Sequence, residues 1–134
     1  MPLTPQEKNF AFAHLIASAT GYRLERPGES ALAVDKDGKR GLLRWAKDAK
    51  ETLEMQRAQV KSAQELLVAI GDPTGVLFEI FRVKRADIDR LKKDGSRPAL
   101  MTLNLRDAAE ALEMVAPLQV TARQLEQAWD RLKE

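Results

Sequence analysis

From Lys47 to Ile70 the chain contains neither glycine nor proline. Ala49, Leu53, Gln56, Val60, Ala63, Leu67 and Ile70 recur at alternating four- and three-residue steps. That period marks one face of a helix. Lys47–Glu51, Lys50–Glu54 and Lys61–Glu65 stand four apart on the flanks, where opposite charges support helical structure. The spacing predicts one long helix over 47–70, about 36 Å from end to end at 1.5 Å per residue. A seam of this kind serves an intramolecular core, and it also offers a surface for a homodimer.

Before this segment, Thr4-Pro5-Gln6-Glu7 reads as a capping box with proline in the first turn, and Gly21 is placed to stop the helix near Thr20. Phe12, Leu15, Ile16 and Ala19 form its apolar face, with His14, Ser18 and Glu7 on the polar side. Pro27-Gly28 and Asp37-Gly38 read as turns, because glycine accepts positive φ. Strands at 22–26, 30–36 and 39–45 then make a meander, although Leu42-Leu43-Arg44-Trp45-Ala46 fits equally the start of the long helix.

After it, Gly71–Gly75 is a connector without the Lys-Ser/Thr of a phosphate loop. Val76–Val83 is apolar on both faces and reads as a central strand covered on both sides. A short helix at 86–93, a strand at 98–104 and a helix at 105–116 follow, with Pro117 as a break. Thr121 and Gln124 form a second capping box, with Val120 and Leu125 spaced as a hydrophobic staple, ahead of a last helix at 122–133. The expected fold is therefore a single α+β domain over 1–134: a small sheet with a β-meander, one long central helix and a C-terminal helical pair.

Composition narrows the chemistry. The chain has 134 residues, no cysteine and a single histidine. Disulfides, thiolate metal sites and cysteine nucleophiles are thereby excluded, and no multi-histidine metal site can be built within one chain. No apolar run approaches the length of a membrane span, and the N-terminus lacks a signal-peptide pattern, so no membrane partner and a cytoplasmic location are expected. Net charge is only +2, but residues 36–98 carry 15 basic against 10 acidic side chains. The densest stretch, 82–97, holds seven basic residues and three acidic ones. Asp87, Asp89, Lys92 and Lys93 in it suit the dipole of the short helix. That leaves Arg82, Lys84, Arg85, Arg90 and Arg97 against Asp94. Arg82 and Lys84 alternate on one face of a strand end, and Lys39, Arg40 and Arg44 belong to a neighbouring strand. Such a surface suits phosphates or an acidic protein.

The order helix–strand–strand–strand–helix–strand, with the local text Gly21-Tyr22-Arg23, Gly28-Glu29-Ser30, Asp35–Gly38 and Leu42–Lys47, resembles the core of restriction-endonuclease-like nucleases. The resemblance implies an acid on the second strand and an acid-X-lysine triplet on the third, which together hold Mg²⁺ and activate water. The corresponding positions are Ala31 and Trp45-Ala46-Lys47, so only the lysine matches. Glu29, Asp35 or Asp37 would have to supply the carboxylates from another register, and acids beside an Asp-Gly turn have turn chemistry as their ordinary role. His14 and Ser18, four apart on one helix, lack an oriented acid and an oxyanion hole.

These patterns lead to a non-catalytic binding module without cofactor or metal. Its basic sheet end, Arg82, Lys84, Arg85 and Arg97 with Lys39, Arg40 and Arg44, faces nucleic acid or an acidic protein. A divergent metal-dependent nuclease and a structural or inhibitory protein acting through the long helix are the alternatives.

Overall fold

The first capping box forms as its spacing predicts. Thr4 N–H donates to Glu7 Oε1 (2.8 Å) and Glu7 N–H donates to Thr4 Oγ1 (3.2 Å). In the computed structural model, which describes residues 3–24 and 33–132, this cap opens α1, Pro5–Thr20, and Gly21 closes it at φ 81°. β1 (Arg23–Leu24), β2 (Ala33–Lys36) and β3 (Lys39–Ala46) follow as an antiparallel meander. Between β2 and β3, Asp37 (φ 54°) and Gly38 (φ 83°) both take the left-handed conformation that a two-residue hairpin demands. Leu42–Ala46 is therefore strand, not the start of a helix. The Pro27-Gly28 turn, Glu29 and Ala31 lie outside the described residues.

The long helix over 47–70 is not formed. Its span holds β4 (Thr52–Gln56), the six-residue α2 (Arg57–Ser62) and β5 (Glu65–Gly71). Two local patterns compete with the four-three spacing, and both win. Thr52–Gln56 alternates exposed and buried, with Leu53 and Met55 inside, which is the period of a half-buried strand. Leu66–Ile70 is apolar at every position, and all five residues are buried. A helix would turn part of that run to solvent, whereas a strand covered on both faces hides all of it. Gln56 and Ala49, placed on the helical seam by their spacing, are exposed. A dimer through a helical seam at 47–70 thus loses its helix.

β5 pairs in parallel with β3 and antiparallel with β6 (Leu77–Lys84). The six-stranded sheet runs β1-β2-β3-β5-β6-β9, with β9 spanning Glu113–Gln119. Its doubly covered centre is β5 rather than the 76–83 strand, which lies one place from the edge. Leu67 and Ala69 of β5 meet Ala13, Ile16 and Ala17 of α1 on one face. On the other, Leu66, Val68 and Ile70 meet Leu53 and Met55 of β4 and Met101 and Leu103 of β8 (Leu100–Asn104). β4, β8 and the two-residue β7 (Lys93–Asp94) form a second, three-stranded sheet. α3 (Arg85–Leu91) leads into β7 and seats Ile88 in this inter-sheet core.

The helix expected over 105–116 is also replaced. Leu105 and Ala108 are fully buried in a turn, a single 3₁₀ turn spans Ala109–Ala111, and β9 (Glu113–Gln119) pairs with β6. Alanine-rich sequence favours helix only weakly against the hydrogen bonds that β6 would otherwise leave unmade. Pro117 is tolerated because β9 is an edge strand, where a missing N–H costs nothing. The C-terminal helical pair is consequently one helix, α4 (Ala122–Leu132). Its predicted cap is present, with Thr121 N–H on Gln124 Oε1 at 2.8 Å and Gln124 N–H on Thr121 Oγ1 at 3.2 Å. Leu125, Ala128, Trp129 and Leu132 are its less exposed apolar positions, and α4 packs beside α1. Among the described residues, no helix is long and apolar enough to cross a membrane.

Candidate functional site

The parallel pair β3–β5 brings charged residues together where those strands begin. Glu65, the first residue of β5, lies opposite Gly41 of β3 and Lys84 of β6. Gly41 leaves space there: a Cβ would stand 3.1 Å from Val34 Cγ2 and 3.6 Å from the Tyr22 ring. Glu65 is only 2% exposed. Its Oε2 is 3.2 Å from Lys39 Nζ and 3.9 Å from Arg82 Nε. Arg82 Nη2 donates to Glu113 Oε1 at 2.7 Å, and Lys84 Nζ stands 3.9 Å from Glu113 Oε2. Lys36, opposite Lys39 on β2, holds its ammonium 5.7 Å over the Tyr22 ring. The result is a chain of alternating charge, Lys39–Glu65–Arg82–Glu113–Lys84, with Lys36 at its flank.

Burial pushes the Glu65 carboxyl above its ordinary range, Arg82 opposes that shift, and Glu113 adds to it. The hydrogen bond from Arg82, then its charge, holds Glu113 below the ordinary range. Glu65 Oε1 and Arg82 Nε are buried without a hydrogen-bond partner among the described residues. A carboxyl raised on folding holds its proton more tightly in the native state. It therefore adds stability below its ordinary value of 4.5, and that contribution is lost as pH rises through the folded value. Glu65→Gln keeps the shape without the charge. Its stability relative to the native protein is expected to improve between about pH 4 and about pH 7. Urea denaturation of both proteins at the two pH values measures this. A pH-independent difference would remove burial as the dominant influence on Glu65.

Of the seven cations singled out by sequence, Lys39, Arg82 and Lys84 meet in this cluster. Arg40 is exposed across β2–β3 from Asp35. Arg44 points to the opposite face of β3, the side of Leu42 and Ala46. It is half-buried, and desolvation lowers its pKa while Glu51 opposes the shift. Arg97 is exposed before β8. The Ser96 hydrogen bonds, and then the Arg97 charge, lower the Glu54 carboxyl. Arg85 turns inward: its Nη1 donates to the carbonyls of Val60 (2.5 Å), Ala63 (2.7 Å) and Lys61 (3.2 Å), and its Nε to Asp89 Oδ2 (3.3 Å). It closes the C-terminal end of α2, where carbonyls lack helical partners.

Sequence reasoning missed Glu65, Glu113, Lys36 and Tyr22. Spacing alone pairs Glu65 with Lys61 along a helix, yet one carboxylate heading an unbroken apolar run is a signal of a buried charge.

The nuclease-like positions fare differently. The order α1–β1–β2–β3 followed by a parallel strand is present, though the crossover is β4–α2 rather than one helix. Asp37 occupies the hairpin turn. Asp35 faces Arg40, seven positions from Lys47 along β3, or about 23 Å at 3.3 Å per residue. Neither acid can share a metal with Lys47. Among the described residues, no three His, Cys, Asp or Glu side chains gather in a metal-binding arrangement. His14 Nε2 is 3.5 Å from Ser18 Oγ, and burial followed by the charge of Arg131 lowers its pKa. No family model and no curated protein matches the sequence.

Proposed function

We propose that this chain is a binding module that contacts the phosphate backbone of nucleic acid through the end of the sheet where β3 and β5 begin. One observation carries the reading. Among the described residues, Lys36, Lys39, Arg82 and Lys84 converge on one surface with two carboxylates, and one of those, Glu65, is buried beneath them. Lys36 and Lys84 are exposed, Lys36 over the Tyr22 ring and Lys84 3.9 Å from Glu113, while Arg82 and Lys39 are held closer to their carboxylate partners. Preorganised cations lose less freedom on contact than four independent lysines would.

Binding to generic duplex DNA should fall with salt at a slope of about −0.9 per phosphate neutralised. Lys36→Glu combined with Lys84→Glu should flatten that slope by about two and leave the melting temperature unchanged. Absence of binding at about 50 mM salt would sink the phosphate reading in favour of an acidic protein partner. A divergent nuclease is the second reading, favoured by the strand order alone. Nicking of plasmid DNA in Mg²⁺, lost in Lys47→Ala, would replace the binding module with an enzyme.

A further inference from the structure

The second sheet is narrower than the first and leaves part of its face uncovered. Over the far ends of β5, β6 and β9 an open groove of about 700 Å³ remains, walled by Leu77, Phe81, Leu112 and Pro117. That is within the size range of binding clefts. The charged residues lining it are Asp48, Asp72 and Glu79, and no cation lines it among the described residues. Leu77 is 52% exposed, and Met114, equally exposed and opposite Phe81 on β9, extends the same apolar face beyond the groove.

Three observations choose the occupant. Two of the carboxylates are held in place by hydrogen bonds. Asp72 accepts from Thr74 N–H (3.1 Å) and from the Thr74 hydroxyl (2.5 Å), which holds its carboxyl below the ordinary range, and Asp48 accepts from Lys50 N–H (2.8 Å). They set a negative rim that complements a basic partner. The free edge of β9 is closed to an added strand: Pro117 offers no N–H, and a bulge leaves Val115 without a partner opposite Ile80 and Phe81. The occupant therefore docks by side chains rather than by extending the ladder. The strand face from Leu77 to Phe81, with Glu79 between these two apolar residues, runs about 14 Å at 3.4 Å per residue, which matches about nine residues of helix at 1.5 Å each. We infer that this groove receives a basic amphipathic helix of a partner protein, its apolar side on Leu77, Phe81 and Pro117 and its lysines or arginines over Asp48, Asp72 and Glu79. This inference is independent of the phosphate surface, which lies at the other end of β3 and β5.

The probe is an amphipathic peptide of about fourteen residues, LKKLLKLLKKLLKL, beside its glutamate counterpart LEELLELLEELLEL, titrated against the full chain by calorimetry. The lysine peptide should bind at least about tenfold more tightly than the glutamate peptide. Glu79→Lys should weaken the lysine peptide about tenfold at unchanged melting temperature. Leu77→Asp, at a second exposed position, should do the same. Glu126→Lys makes the identical charge change on α4 and should leave binding as it was. Equal affinity for both peptides, no binding, or equal loss in Glu79→Lys and Glu126→Lys overturns the proposal. Concentration-dependent self-association in sedimentation, abolished by Glu79→Lys, overturns it in favour of a second copy of this chain.

Discussion

Truncating Leu66 to alanine should lower the unfolding free energy by about 3 kcal/mol and the melting temperature by about 10 °C. Leu66 is 1% exposed and sits between Leu42 of β3 and Val83 of β6, facing Met55, Met101 and Ile88 across the inter-sheet core. These neighbours belong to two paired sheets and cannot collapse freely into the space, so the cavity term adds to the lost transfer energy. Leu67→Ala should cost about as much from the opposite face, where its neighbours are Ala13 and Ile16 of α1. The pair is diagnostic, because adjacent residues can both be fully enclosed in a strand covered on two sides, while in the helix 47–70 only Leu67 would occupy the seam. Urea denaturation and thermal melts of the two variants read the effect. A loss below about 1 kcal/mol for Leu66→Ala would mean that no second sheet covers β5.

Arg85→Ala is the second large effect, expected at about 2–3 kcal/mol. The guanidinium joins three carbonyls at the end of α2 to the start of α3, and removing it leaves those acceptors without their charged donor. Arg85→Lys should recover less than half, since one ammonium cannot reproduce a fork spread over three carbonyls and Asp89. The same variant separates two roles. As a clamp, Arg85 affects stability and leaves the salt slope of DNA binding alone. As a phosphate contact, its loss would flatten the slope by about one at constant stability. The second pattern in solution would return Arg85 to the binding surface.

The site was half legible. Arg82, Lys84 and Lys39 stand out as cations on strand ends, because strand alternation places them on one face. Glu65 is hidden by the same spacing that predicts the long helix: Lys61 stands four positions before it as a helical partner, whereas its actual neighbours, Lys39 and Arg82, come from strands β3 and β6. Arg85 looked like surface charge because its carbonyl acceptors belong to a segment more than twenty residues away. Sequence spacing carries no record of a backbone acceptor.

What the chain determined locally it determined well. Both capping boxes, the glycine stop of α1, the Asp37-Gly38 hairpin turn and the apolar side of α4 rest on interactions within a few residues, and each is present. The tertiary structure alone decided 47–70 and 105–119. Those stretches carry modest helical preference, worth tenths of a kcal/mol per residue. Pairing β5 between β3 and β6 buries side chains worth roughly 1.5–3 kcal/mol each, and pairing β9 along β6, with its own side chains exposed or half-buried, satisfies backbone groups. Long-range pairing and burial outweigh local preference there, and they also set which charges meet.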